Sequence, residues 1–260
     1  MKSCGRLRKA IVLLLGCLGA LAMSIPAREA GAVLSVVPDH VEIGTFYQGC
    51  QVAVSAVIPA GAEAVVEVVG RANTQKLLRK GRRGGLWMSV AETEVSGAPS
   101  LYLVMSTNSA LLSGSPSDLP WGYEALAHEV RFTGRPSEAE QANLLGEFIK
   151  LKESEKLFGM FPGTLTLAPA TDGQCVVKGT FSLPGTVKPD TYKVSLSVVR
   201  AGTIVARSDT EFTVAMVGFP ALLWKLAWNH GVLYGIVAVL IALLTGFVMG
   251  YLFKKGAGGH

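Results

Sequence analysis

The densest charge feature in the sequence is five cations within eight residues: Lys76, Arg79, Lys80, Arg82 and Arg83, in QKLLRKGRRGGLW. Cations this close could grip anionic lipid headgroups or an anionic ligand. The plainer reading is a solvated hairpin tip, with Gly84-Gly85 as its turn. Four cysteines are present, and Cys4 and Cys17 belong to an N-terminal segment expected to leave on export. Cys50 and Cys175 remain, both in β-type segments. They could form a disulfide if their Cα atoms came within about 7 Å, or stay as two buried thiols. Their distance in sequence excludes a CxxC redox or zinc pattern.

The four histidines are His40, His128, His230 and His260, and none has HxxxH or HExxH spacing. His128-Glu129 is a histidine–carboxylate neighbour pair, and in a strand the two would face opposite ways. GxSxG, the phosphate-binding loop and a strand-linked GxGxxG are absent from the sequence. No catalytic, cofactor-binding or metal-ligating residue is therefore expected, and the chain does not read as an enzyme.

The elements that would position these residues lie between two membrane-addressed ends. Half of the 260 residues are apolar, 17% are charged, and the mean hydropathy is +0.40. The net charge of +5 could suggest a nucleic-acid partner, but its distribution argues otherwise. Lys2, Arg6, Arg8, Lys9 and Arg28 sit in residues 1–32 with Glu29, and Lys225, Lys254 and Lys255 sit in 219–260 with no acid. Residues 33–218 keep 16 bases and 18 acids, a net of −2.

The first four of those bases precede an uncharged run from Ala10 to Ala22, which reads as an export signal, 1–22. Ala20-Leu21-Ala22 fits the cleavage site, and Ala30-Gly31-Ala32 is a second candidate, as late as 32. Lipid attachment at Cys17, in Leu14-Leu15-Gly16-Cys17, and an uncleaved anchor are the alternatives. Gly231 to Phe253 is 23 residues without a charge, long enough to cross the roughly 30 Å hydrocarbon core with some tilt. Lys254-Lys255 follows as a stop-transfer pair and assigns residues 254–260 to the cytoplasm. Trp224, Trp228 and Tyr234 mark one interface and Tyr251 the other. Gly231, Gly235, Ala242, Gly246 and Gly250 fall on roughly one face of this span and include two GxxxG motifs, a face that could pack on another helix. Phe219 to His230 is a juxtamembrane amphipathic segment, either a collar on the membrane surface or an outward extension of the span.

Between the ends the pattern is mainly β. Val52, Val54, Ala56 and Ile58 alternate at period two, as do Val194, Leu196 and Val198. Residues 33–135 and 163–218 read as two β-rich regions, with 108–122 as loop. Residues 136–158 read as an inserted helix, with Ser137 as N-cap and Leu144, Leu145, Phe148, Ile149 and Leu151 as its apolar stripe. Pro189-Asp190-Thr191-Tyr192 approaches a strand as in the tyrosine corner of immunoglobulin-like folds. The expected fold class is an immunoglobulin-like β-sandwich, one interrupted sandwich or two small ones, and two halves are favoured.

Several segments then bear comparison in their order: LRKGRRGGLW (Leu78–Trp87), PSLYLVMST (Pro99–Thr107), EFIKLKESEKLF (Glu147–Phe158), FSLPGTVKPDTYKVSLSVVRAGTIV (Phe181–Val205) and YGIVAVLIALLTG (Tyr234–Gly246). This order resembles the "putative transmembrane protein" family described mainly from alphaproteobacteria. The family typically carries a Lys-x-Gly-x-Glu-Arg stretch before the span, where this chain has Val217-Gly218-Phe219-Pro220. The resemblance implies a bacterial inner-membrane protein with one pass, its bulk periplasmic and its C-terminus cytoplasmic. It supplies no catalytic residues to carry over, and it implies a permease-type membrane protein of the sulfite-exporter kind as a partner class. The expected function is a non-enzymatic accessory or scaffold subunit of a transport-related complex. The alternative is a periplasmic binding module for a small or anionic ligand. No nucleic acid and no cofactor is expected.

Overall fold

Where apolar and polar residues alternate, the chain is extended and pairs at its edges. The computed structural model describes residues 33–113, 120–133, 138–169 and 173–254, and within them the backbone alone at 79, 80, 90, 91, 138, 139 and 254. The export signal with Cys4 and Cys17, the N-cap Ser137 and the tail from 255 lie outside the described residues.

One sheet has the antiparallel order β1 (Val33–Val37), β3 (Gly49–Pro59), β11 (Gln174–Pro184), β10 (Thr166–Pro169). A second has the order β2 (His40–Ile43), β13 (Thr203–Met216), β12 (Asp190–Arg200), β4 (Glu63–Val69), β7 (Tyr102–Ser106), β9 (Phe158–Phe161). In it, β2 runs parallel to β13 and β9 parallel to β7. A third contains β5 (Ala72–Arg83), β6 (Leu86–Pro99) and the short β8 (Arg131–Phe132). The helices are α1 (Ala110–Ser113), α2 (Tyr123–Glu129), α3 (Glu138–Ser154), α4 (Gly218–Asn229) and α5 (Gly231–Lys254). The fold is mainly β and sandwich-like, with a C-terminal apolar helix.

The strand pairing joins the two β-rich regions. β3 pairs along its length with β11, and β4 pairs with β12, so both large sheets draw strands from before and after α3. This is the single interrupted sandwich rather than two separate halves. Facing side chains fill it: Val52, Val54, Ile58, Phe181 and Leu183 from the first sheet, and Val66, Val68, Leu196, Phe212 and Val214 from the second, all buried. Burying a side chain of this size contributes roughly 1.5–3 kcal/mol, which is why the period-two pattern decides the face each residue takes.

α3 replaces part of the expected 136–158 helix. Lys156, at φ 58, breaks the helical path, and Phe158 joins β9 at the sheet edge. Within the predicted stripe Phe148 is buried and packs edge-on to Phe158 at 5.8 Å, whereas Leu151 is exposed. Lys152 is buried in its place: its ammonium lies 5.7 Å from the Phe148 ring and 2.9 Å from Glu155. The 108–122 stretch, expected as loop, contains α1. Nearby, Tyr102 donates to Glu67 Oε1 at 2.7 Å and accepts the Gly122 N–H at 2.8 Å. Burial raises the Glu67 carboxyl above its ordinary pKa, and the Tyr102 hydrogen bond opposes that rise.

The tyrosine corner is formed. Tyr192 is fully buried, its hydroxyl donates to the Lys188 carbonyl at 2.8 Å, and its ring stacks on Phe212, its cross-strand partner, at 5.3 Å and 16°. Tyr192→Phe keeps the stacking and leaves that carbonyl short of a donor. It should lower the unfolding free energy of the full chain in detergent by about 1–2 kcal/mol, read from chemical denaturation.

Candidate functional site

The predicted cation cluster lies on a β-ribbon that grows out of the second sheet. The β4–β7 ladder does not stop at the sheet edge. Gly70 N–H bonds to the Leu101 carbonyl (2.9 Å) and Ser100 N–H to the Arg71 carbonyl (3.0 Å), and the pairing continues directly into β5 and β6. The ribbon turns at Gly84-Gly85, with φ of +57° and +84°. A two-residue hairpin turn with both φ values positive is the type I′ geometry, which favours glycine. β8 pairs with the ribbon at Val95 and Ser96 and Thr133 N–H bonds to the Glu94 carbonyl, so among the described residues the outer part of the ribbon is two-stranded.

Lys76 and the tip arginines do not converge. Six residues of strand place Lys76 about 20 Å from Arg82. Lys76 is held by Glu92 at 2.8 Å and Glu94 at 3.5 Å, whose hydrogen bonds and charges raise its pKa. The side chains of Arg79 and Lys80 lie outside the described residues. Arg82 stands opposite Trp87 and Arg83 opposite Leu86 at the tip, all four exposed, and no ion pair among the described residues involves either arginine. What the sequence presents as one cationic cluster is a graded strip, neutralised near its base and positive at its tip. Its tip aromatic and aliphatic residues were legible only as flanking sequence.

The ribbon rises from the end of the sandwich at which α4 and α5 leave. β4 and β13 both run antiparallel to β12, and Val69 and Glu211 both lie opposite Lys193. The two strands therefore head for the same edge. There β4 passes through Arg71, which pairs with Asp190 at 3.6 Å, into the ribbon, and β13 passes through Met216 into α4. β2 ends level with Met216, so the following turn with Phe46, 92% exposed, is at this end too. α4 carries exposed Phe219, Leu222, Trp224 and Trp228, with the two indole rings 6.2 Å apart. Lys225 and Asn229, four residues apart, share a face with Leu222, which lies within about 20° of Asn229 around the helix. The helical path breaks at His230, φ −138° and ψ 54°, so α4 is a separate helix and not a continuous extension of α5.

None of the apolar window of α5 from Gly231 to Phe253 is buried against the rest of the chain. Gly231, Gly235, Ala242 and Gly246 fall within about 60° around the helix, and Gly250 lies at about 100°. A Cβ placed on any of the four glycines would meet nothing within 4 Å. Among the described residues, no three His, Cys, Asp or Glu side chains are gathered to hold a metal. His128 and Glu129 end α2 rather than lying in a strand. A cavity of about 500 Å³ opens between Leu111, Trp121, Val199 and Ile204, and its described lining has no ionisable group.

A model of the family described as "Putative transmembrane protein (Alph_Pro_TM)" matches residues 32–255, and the chain belongs to that family. No curated protein matches it.

Of the two readings of Cys50 and Cys175, a disulfide or two separate thiols, the strand register rules out the disulfide. Both residues lie on the β3–β11 pair, but Cys50 is opposite Leu183 and Cys175 opposite Ile58. Eight residues of ladder separate them by about 26 Å, far beyond disulfide reach. Both are free thiols, and Cys50 accepts a weak hydrogen bond from the Tyr47 hydroxyl at 3.6 Å. Alkylation without prior reduction, followed by peptide mass spectrometry, should recover both cysteines fully alkylated. A linked Cys50–Cys175 peptide would refute this register.

Proposed function

We propose that this member of a transmembrane family is a non-enzymatic accessory or scaffold subunit of a transport-related complex in the bacterial inner membrane. The sandwich stands on the periplasmic side, and the tail after Lys254-Lys255 is cytoplasmic. The observation that carries this reading is α5. A chain with a well-filled sandwich ends in an apolar helix wholly unburied by its own fold, with small residues along one side. Glycine and alanine let a second helix approach closely in lipid, where dispersion and interhelical contacts replace the hydrophobic drive. The partner would be a permease-type membrane protein or a second copy of the chain. The lysine pair supports the orientation, because basic residues are retained on the cytoplasmic side. The separation of Lys76 from the tip, and its ion pairs with Glu92 and Glu94, weigh against a single pocket for a small anionic ligand.

Two measurements test this. An impermeant maleimide applied to intact spheroplasts should label a cysteine placed at Lys178 and spare one placed at Gly258. Photocrosslinkers at Gly235 and Gly246 should then capture a multi-pass membrane protein or a second copy in native membranes. Gly235→Leu and Gly246→Leu together should remove most of that product. Crosslinking to lipid alone, with a monomer in mild detergent, would defeat the accessory role.

A further inference from the structure

We infer that the tip of the β5–β6 ribbon is a second membrane contact, which docks on the anionic phospholipid surface of the bilayer that α5 spans. The inference rests on the transmembrane anchorage and not on the accessory role. Three independent observations converge on it.

The first is composition. From Leu77 to Ala91 the chain has four bases, Arg79, Lys80, Arg82 and Arg83, and no acid. The acids of the ribbon, Glu92 and Glu94, sit nearer its base and hold Lys76. Charge is thus sorted along the ribbon, with the positive end outermost. The second is exposure. Leu86 is 68% and Trp87 73% exposed, Met88 is exposed beside them, and Leu78 is exposed four residues further down the ribbon. A two-stranded hairpin is marginal in water, and one that shows this much apolar surface needs something to cover it. A headgroup layer suits both demands. Indole and aliphatic side chains settle at the boundary with the acyl chains, while arginine stems extend so that the guanidinium reaches phosphate.

The third is reach. Lys193 puts Val69 and Glu211 at one level. Met216 lies five residues beyond that level and Arg83 fourteen. The ribbon therefore has about nine residues, roughly 30 Å, of strand beyond the start of the membrane segments. α4, at twelve residues, spans roughly 18 Å if it stands upright and less if it lies flat. At either angle the ribbon is long enough to bring Trp87 to the plane at which α5 enters lipid. Phe46 and the exposed tryptophans of α4 are at this same end of the fold.

The test uses the full chain in proteoliposomes of phosphatidylcholine with phosphatidylglycerol. A cysteine at Leu86 or at Lys178 carries an environment-sensitive fluorophore, with Cys4, Cys17, Cys50 and Cys175 replaced by serine. Nitroxides attached to the shallow part of the lipid chains should quench the Leu86 probe and leave the Lys178 probe on β11 unaffected. Arg82→Gln with Arg83→Gln should shift the docked-to-undocked ratio about thirty-fold towards undocked, roughly fivefold per arginine. Omitting phosphatidylglycerol should act in the same direction. Both arginines are exposed and make no ion pair among the described residues, so the unfolding midpoint of the double variant should match the parent and exclude misfolding. A Leu86 probe no more quenched than the Lys178 probe would overturn the inference. So would quenching that ignores both the arginines and the anionic lipid. A Leu86 photocrosslinker that captures protein rather than lipid in native membranes would give the tip a protein partner and likewise overturn it.

Discussion

β12 is hydrogen-bonded along both edges, to β4 on one side and β13 on the other, and its inward side chains Tyr192, Val194, Leu196 and Val198 are completely buried. That double ladder fixes the direction of the two strands whose continuations leave the sandwich. A strand pair has only two orientations, and one residue of slip would turn every inward side chain outward. The burial on β12 therefore pins the register, and the register pins the ribbon and the start of α4 to a common end. The tyrosine corner anchors the same strand at that end. The Tyr192 hydroxyl holds the turn at Lys188, two residues before Asp190, which pairs with Arg71 at the foot of the ribbon.

The edges of this sheet carry a different burden. β2 and β9 are four-residue strands, and each runs parallel to its neighbour. Short edge strands limit the run of unpaired backbone that could recruit another chain. Behind β7, the aromatic group of Tyr102, Tyr123, Phe148 and Phe158 gives α3 its seat on the sheet. Lys152 fits at this seat because its stem covers apolar surface while its ammonium meets Glu155.

How much of this could be read from the sequence depended on whether burial left a pattern. β3, β11, β12 and β13 announce themselves, since one face of each meets the core and the residues alternate accordingly. The tyrosine corner was legible because its chemistry is local, within Lys188 to Tyr192. The ribbon was not fully legible. Its outer part is solvated on both faces, so LLRKGRRGG has charge and glycine but no apolar period, and suggests only a tip. β10 is exposed throughout, so its length and pairing had little to announce them. The cysteines failed for another reason. Local pattern places Cys50 and Cys175 in strands, but only the long-range register shows that those strands run antiparallel with the two thiols at opposite ends. Likewise Leu151 and Lys152 exchange expected places because an amphipathic stripe drifts around a helix and the sheet below selects which side it covers.

Averaging also concealed the electrostatics. Residues 33–218 carry a net charge of −2, which describes a nearly neutral domain. Setting apart the four bases between Leu77 and Ala91 leaves 12 bases against 18 acids in the remainder, a net of −6. An anionic surface repels that remainder and attracts the tip, so the same bilayer acts on the two parts with opposite sign. Within a Debye length of about 8 Å at physiological salt, the sign of the nearest charges governs each interaction, not the total. A domain held by a single helix can pivot on its juxtamembrane hinge. Here the helical path breaks at His230, between the domain and α5. Opposed forces on body and ribbon would limit the pivot by favouring orientations with the tip down and the acidic body lifted. The glycine turn and the two-stranded ribbon thus gain a mechanical meaning as a second foot, separated from the first by the width of the sheet between β4 and β13.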